Sequence, residues 1–251
     1  MRDPAADPQR QQHSLADWLA LHELDPATCR HVLDAIGHDF ASAPAGHEGT
    51  QSGYQALDLE VAWLRTVEAM RDFLPERHGI IEDTFAKTEK IVVDLPGRSR
   101  KAVTLDNGPD AYPMILLSYR QEPAEHLIMA HEFGHALQIR ASQGRLVPPI
   151  MREVCAFLGE SALVSHARQR NHPQHACLAR AWRKDSRRYF GVQSDRLRAA
   201  LATPAAPYTY SWNYPVARYL AIRISERCSR DRIWSIFAGR TSVQDALQEL
   251  A

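Results

Sequence analysis

Hydrophobic residues recur at helical spacing along the first third of the chain. The apolar pattern after Ser14 predicts one helix, and Asp25-Pro26 supplies a cap and a first-turn proline for a second helix that ends near Ala41. Residues 42–53 are rich in small and turn-forming residues and predict a loop. A long third helix follows, and its apolar stripe is predicted to contain Leu57, Val61, Leu64, Val67 and Met70.

The pattern then changes to short β-branched runs. Residues 91–93 and 103–105 are separated by Pro96-Gly97 and predict a hairpin, while residues 114–119 predict a third strand. After Gln121 the chain has helical spacing nearly to its end. The order of helices, small sheet and helices predicts a mainly α protein of the α+β class.

Composition and charge exclude several classes of protein. Hydrophobic residues make up 45% of the 251 positions, which is enough apolar material for a folded core. The 30 basic residues balance the 30 acidic ones, so no net charge draws the chain to nucleic acid or an anionic membrane. No apolar run approaches the roughly 20 residues that cross a bilayer. The four scattered cysteines fit a reducing compartment, and we expect a cytoplasmic protein without nucleic-acid or membrane partners.

The segment His131-Glu132-Phe133-Gly134-His135 carries the clearest chemical pattern. It lies in a helical stretch that begins near Pro123, and histidines four residues apart project from one helical face. Both rings can therefore reach one metal ion at about 2.0–2.1 Å. Glu132 can approach a metal-activated water without being a ligand itself. The pattern predicts a zinc site with His131 and His135 as ligands and Glu132 as general base.

A hydrolytic zinc site needs a third protein ligand, and carboxylates downstream can supply it. Glu153 begins the next helical pattern, and Glu160 lies two turns later on the same face. We predict that Glu153 is the ligand and that Glu160 holds the free ring nitrogen of a ligating histidine. The swapped assignment, and a solvated surface role for Glu160, are the alternatives.

The segment Pro207–Tyr214 concentrates Tyr208, Tyr210 and Tyr214 within eight residues. A phenol hydroxyl can donate a hydrogen bond to the oxyanion that develops during hydrolysis. Aromatic clusters also pack protein cores, so spacing alone leaves both roles open.

These motifs together resemble the M3 family of zinc peptidases, the group of thimet oligopeptidase and oligoendopeptidase F. Residues 152–160 are similar to the family's second-helix motif, residues 93–101 to the strand and turn before the zinc helix, and residues 208–212 to its tyrosine-rich loop. The resemblance covers about residues 85–225. It implies a helical gluzincin fold that cleaves short peptides in a channel. It also implies that Tyr210 supports the oxyanion, with Tyr208 as a neighbour and Tyr214 as the runner-up.

The chain also departs from the family. It is shorter than the usual members, and residues 195–206 lack the histidine that the family has before its tyrosine loop. We therefore expect a disordered tail at 1–12, a partial lid at 13–84 and a catalytic region at 85–251. The predicted function is zinc-dependent hydrolysis of a peptide or protein substrate. The alternatives are a specialised protease that processes one partner protein, and a zinc-binding module without activity.

Overall fold

Helices make up most of the described chain, which comprises residues 13–42, 56–93, 102–203 and 205–250 in the computed structural model. The helices are α1 (Leu15–Leu21), α2 (Pro26–Ser42), α3 (Leu59–Phe73), α4 (His78–Lys87), α5 (Pro123–Ser142), α6 (Pro149–Gln169), α7 (His175–Arg188), α8 (Ser194–Ala200), α9 (Asn213–Arg227), α10 (Arg230–Phe237) and α11 (Val243–Leu250). The strands are β1 (Glu89–Val92), β2 (Val103–Leu105) and β3 (Met114–Leu117). Short 3-10 turns at Pro75–Arg77 and Tyr210–Trp212 and a π-helical turn at Tyr189–Gln193 complete the set. The predicted mainly α fold with a small sheet is confirmed.

The first two helices begin where the sequence predicts. Ser14 caps α1 in a reciprocal capping box with Asp17, and the Asp25 carboxylate accepts hydrogen bonds from the first-turn amides of α2. The predicted tail at 1–12 and most of the predicted loop at 42–53 lie outside the described residues. No helix in the described ranges is long and apolar enough to cross a membrane.

The predicted core stripe of α3 is wrong in part. Val67 and Met70 are buried, but the side chains of Val61 and Leu64 are 42% and 45% exposed. The helix is rotated because Trp63 packs edge-on against the ring of Phe133, 5.1 Å between centroids. The large ring of Trp63 buries more apolar surface than Val61 or Leu64 would bury in its place.

The predicted hairpin is also wrong. The strand order is β1-β3-β2, with β1 parallel and β2 antiparallel to β3, so β1 and β2 do not pair. The central position goes to the most apolar strand, in which Ile115 and Leu117 are buried on one face. Residues 94–101, which make up most of the connection between β1 and β2, lie outside the described residues.

Helices α5 and α6 lie at the centre of the fold and run antiparallel with close backbone contact. A Cβ added to Gly134 would come within 2.6 Å of the Cys155 carbonyl oxygen, and one at Gly159 within 2.3 Å of the Ala130 carbonyl oxygen. Only glycine allows this approach. The loop of residues 143–148 is short, so α6 folds directly back along α5. This pairing sets the first half of α6 against the histidines of α5.

Helix α1 packs near the tyrosine segment. The Trp18 Nε1 donates to Asn213 Oδ1 at 2.7 Å, and the Tyr208 amide donates to the His13 carbonyl at 2.7 Å. The ring of Trp18 also contacts the edge of Trp212, 6.2 Å between centroids. These contacts hold the start of α9 in place. The division of the chain into a lid at 13–84 and a catalytic region at 85–251 stays a prediction.

Candidate active site

Three predicted metal ligands come together between α5 and α6. His131 Nε2 lies 3.3 Å from Glu153 Oε2, and His135 Nε2 lies 3.7 Å from Glu153 Oε1. One ligand atom from each of the three residues lies within 4.8 Å of the others. The two imidazole rings are largely buried, with centroids 4.9 Å apart. We call these three residues the metal cluster.

The metal cluster fits a divalent ion. In a tetrahedral site with bonds of about 2.0–2.1 Å, neighbouring ligand atoms lie about 3.3–3.4 Å apart, and the separations from Glu153 are close to this. Oε2 of Glu153 is buried without a hydrogen-bond partner among the described residues. His131 Nε2 lies 3.3 Å from this oxygen, and a cation bound by both atoms would offset the cost of burying them.

The protonation states of His135 and Glu153 also suit metal binding. Burial lowers the pKa of His135 to about 4, and the charges of His131 and Arg152 act in the same direction. Burial opposes ionisation of Glu153, but the two histidines and a hydrogen bond from Tyr210 hold its pKa at about 2. The structure therefore favours a neutral His135 and an ionised Glu153, which are the forms that bind metal. For His131, burial opposes protonation, but Glu153 and Glu160 hold its pKa well above the usual range, so a bound metal would displace a proton from this ring.

Glu160 lies on the other side of the His131 ring. Its Oε1 is 2.8 Å from His131 Nδ1, so a proton on Nδ1 can be donated to Glu160 while Nε2 faces the metal cluster. The side chain is 7% exposed, which contradicts the solvated alternative. This placement favours Glu153 over Glu160 as the third ligand.

Arg218 on α9 is a residue that sequence analysis missed. Its Nη1 donates to Glu160 Oε2 at 2.5 Å, and its remaining nitrogens donate to Ser186 Oγ and the Trp182 carbonyl. The guanidinium is fully buried and lies 4.2 Å from the centre of the Trp182 ring. Burial raises the pKa of Glu160, but Arg218 and His131 hold it below its usual range. The sequence signal that could have indicated its burial is the position of Arg218 among the apolar residues of α9.

Glu132 is almost completely buried beside the metal cluster. Its Oε2 accepts a hydrogen bond from Thr104 Oγ1 at 2.7 Å, and β2 thereby contacts α5. Burial raises the pKa of Glu132, while the charge of His131 and the Thr104 hydroxyl oppose that rise. A raised carboxyl pKa suits a group that takes up and releases a proton. The sequence pattern predicts Thr104 only as a strand residue.

The three tyrosines take different places. Tyr210 donates from its hydroxyl to Glu153 Oε1 at 2.7 Å, and burial and the Glu153 charge raise its pKa, so the phenol stays protonated. The Tyr208 hydroxyl accepts from Asn213 Nδ2 at 3.0 Å. The Tyr214 ring packs 5.8 Å from the Tyr210 ring. Of the three, Tyr210 is hydrogen-bonded to the metal cluster.

Neither a family model nor a curated protein matches this chain. Its fold is similar to a crystal structure described as a "putative peptidase from Chlamydophila abortus", with 14% sequence identity and a TM-score of 0.53. The similarity covers 96% of this chain and 44% of that one, so the chain spans less than half of the neighbour's length. At this identity the likeness is one of fold.

Proposed function

We propose that the protein is a zinc-dependent peptidase. The observation that carries the proposal is the convergence of His131, His135 and Glu153 next to the buried carboxylate of Glu132. Two imidazoles and one carboxylate are a ligand set typical of catalytic zinc, in which one position stays open for water or substrate. The description of the structural neighbour as a peptidase agrees with this proposal.

Zinc bound to these ligands would polarise the substrate carbonyl and lower the pKa of a water molecule to about 7. Glu132 takes the proton from the attacking water and passes it to the leaving amine. The Thr104 hydroxyl holds one oxygen of Glu132 and so fixes the direction of the other. The Tyr210 hydroxyl donates its one hydrogen to Glu153 Oε1 here, and during the reaction it would turn from Glu153 to donate to the negatively charged substrate oxygen.

The sheet offers a place for the substrate backbone. Among the described residues, β2 pairs only with β3, so its other edge has no strand partner. Val103 and Leu105 are 46% and 40% exposed, and Thr104 between them contacts Glu132. An extended peptide that hydrogen-bonds to this edge would pass beside the general base.

We propose that the peptidase is of the M3-like type, because the motifs at 131–135, 153–160 and 208–212 resemble those of that family. The neighbouring Glu160 and Arg218 agree with a catalytic role, because they hold one ligand ring in a fixed orientation. A buried carboxylate is costly, and that of Glu132 is stabilised by a hydrogen bond from Thr104. A zinc-binding module without activity would have no use for such a group, so its presence favours an enzyme.

The test combines metal analysis with digestion of a broad peptide library. Wild-type protein should bind about one equivalent of zinc per chain and cleave peptides, and removal of zinc should abolish cleavage. Glu132→Gln should keep its zinc and lose at least about a hundredfold in rate. Full activity of Glu132→Gln would overturn the mechanism. Zinc-loaded wild type that cleaves no peptide, but cuts one partner protein, would indicate the processing protease instead.

A further inference from the structure

A cavity of about 890 Å³ opens where α5 ends and α6 begins. Ile139 lines it and follows His135 by four residues, so the cavity lies about one helical turn beyond His135 along α5. Asp106 and Gly108, just after the end of β2, line the cavity as well. A peptide that follows the edge of β2 past Glu132 can therefore reach it. We call it the Arg152 cavity, after a further lining residue.

Arg152 connects the Arg152 cavity with the metal cluster. It directly precedes Glu153, and its charge acts on both His135 and Tyr210. Within the described residues its guanidinium has no ion pair and no side-chain hydrogen bond, although the side chain is only partly exposed. Arginine in this setting retains its full capacity to bind a carboxylate in bidentate geometry.

The other charges around the Arg152 cavity leave it positive. Arg140 donates to the carbonyls of Pro109 and Ala111, and Arg145 to those of Ser142 and Ala238, so neither is neutralised. The Asp83 carboxylate on the opposite wall is paired with Lys87 at 2.6 Å. The Asp106 carboxylate is exposed and accepts from the Gly108 amide. An anion in the cavity therefore meets more positive than negative charge.

Gln138 supplies the second observation that points to a ligand. Its side chain lines the Arg152 cavity and is 3% exposed, and its amide oxygen is buried without a hydrogen-bond partner in the described part of the chain. A buried amide without partners is uncommon and costs free energy. Because the two ends of the amide are interchangeable by rotation, its NH₂ group can be turned toward an acceptor in the cavity.

We propose that the Arg152 cavity is a substrate subsite for an acidic residue of the peptide, with Arg152 and Gln138 binding its carboxylate. The inference rests on the proposed function and names its substrate class: peptides with Asp or Glu at a fixed distance from the cleaved bond. Arg152 is a specificity residue and takes no part in the proton transfers.

The test maps cleavage sites in a peptide library for wild type and Arg152→Gln. Wild type should favour Asp or Glu at one fixed position. On a matched peptide pair with Glu or Gln at that position, Arg152→Gln should lose about tenfold in kcat/KM for the Glu peptide and little for the Gln peptide. Arg152→Glu should turn the preference toward Lys. Arg168→Gln, an exposed arginine later on α6, is the control and should keep the wild-type preference.

Binding separates this inference from the proposed function. The Glu132→Gln protein should bind a fluorescein-labelled Glu peptide about tenfold more tightly than its Gln partner in fluorescence anisotropy. Equal affinities, or the same preference in wild type and Arg152→Gln, would overturn the subsite. If wild type cleaves no peptide, the proposed function fails, and the anisotropy comparison still decides whether the Arg152 cavity binds acidic residues.

Discussion

The His131 ring is held between two carboxylates, with Nδ1 2.8 Å from Glu160 Oε1 and Nε2 3.3 Å from Glu153 Oε2. Glu160 is in turn held by the buried guanidinium of Arg218. This chain of contacts orients Nε2 toward Glu153 before any ion binds. Partners of this kind commonly contribute 10- to 100-fold in metal affinity.

We therefore expect Glu160→Gln to lower zinc affinity by about tenfold or more, measured by competition with a chromophoric chelator.

Arg218→Met leaves the Glu160 charge buried without its partner and should lower the free energy of unfolding by about 3–5 kcal/mol. Arg218→Lys keeps the charge but not the three-way hydrogen bonding, so it should fall between wild type and Arg218→Met. A folded Glu160→Gln protein with wild-type zinc affinity would contradict this account.

Close packing of α5 and α6 gives a second prediction. Gly159→Ala places a methyl group 2.3 Å from the Ala130 carbonyl oxygen, which is backbone and cannot rotate away. The helices must separate, so we expect a loss of about 3 kcal/mol in the free energy of unfolding and weaker zinc binding. The control is Gly37→Ala, whose added Cβ meets nothing within 4 Å in α2 and should stabilise by up to about 1 kcal/mol. Urea unfolding measures both, and equal effects would refute the packing argument.

Local spacing was sufficient to find the metal cluster. The i,i+4 histidines and the i,i+7 carboxylates of Glu153 and Glu160 are fixed by helical geometry, and the short loop between the helices brings the two faces together. Arg218 and Thr104 could not be found in this way. Their contacts span 58 and 28 residues along the chain, and no local pattern encodes such distances.

The errors in the predicted fold have the same origin. Pro96-Gly97 is a turn signal, but it does not determine which strand pairs with which, and the apolar β3 took the place between β1 and β2. Val61 and Leu64 fit a helical stripe, yet the face of α3 that is buried depends on where Trp63 finds a partner. Pairing and packing are settled by the whole core and not by one segment.

Thr104 gives a third prediction, for the general base. Its hydroxyl donates to Glu132 Oε2, so Thr104→Val keeps the shape of β2 but removes the group that orients the carboxylate. We expect kcat/KM to fall about tenfold or more with zinc content unchanged, because one hydrogen bond to the carboxylate of the general base is lost. Thr104→Ser retains the hydroxyl and should recover most of the rate. Equal rates for the Val and Ser variants would show that the contact does not position Glu132.

His126 gives a fourth prediction, for the pH dependence of stability. The ring is buried away from the metal cluster, with its Nε2 3.1 Å from the Ala62 carbonyl oxygen. Burial lowers the pKa of His126 to about 4, against the hydrogen bond to Ala62, which acts in the opposite direction. Between pH 6.5 and 4 the unfolded chain therefore binds a proton at this position that the folded chain does not.

Since the unfolded state binds more protons in that window, stability falls as pH decreases, by about 3 kcal/mol in total from this group. Below pH 4 both states are protonated and the contribution of His126 becomes constant. His126→Gln can still donate to Ala62 but does not titrate, so its free energy of unfolding should fall less steeply than that of wild type. Urea unfolding at pH 7, 6 and 5 measures the free energy of unfolding of both proteins. All other titrating groups are the same in the two proteins, so their contributions cancel in the difference. Parallel curves for the two proteins would mean that His126 is protonated equally in the folded and unfolded states.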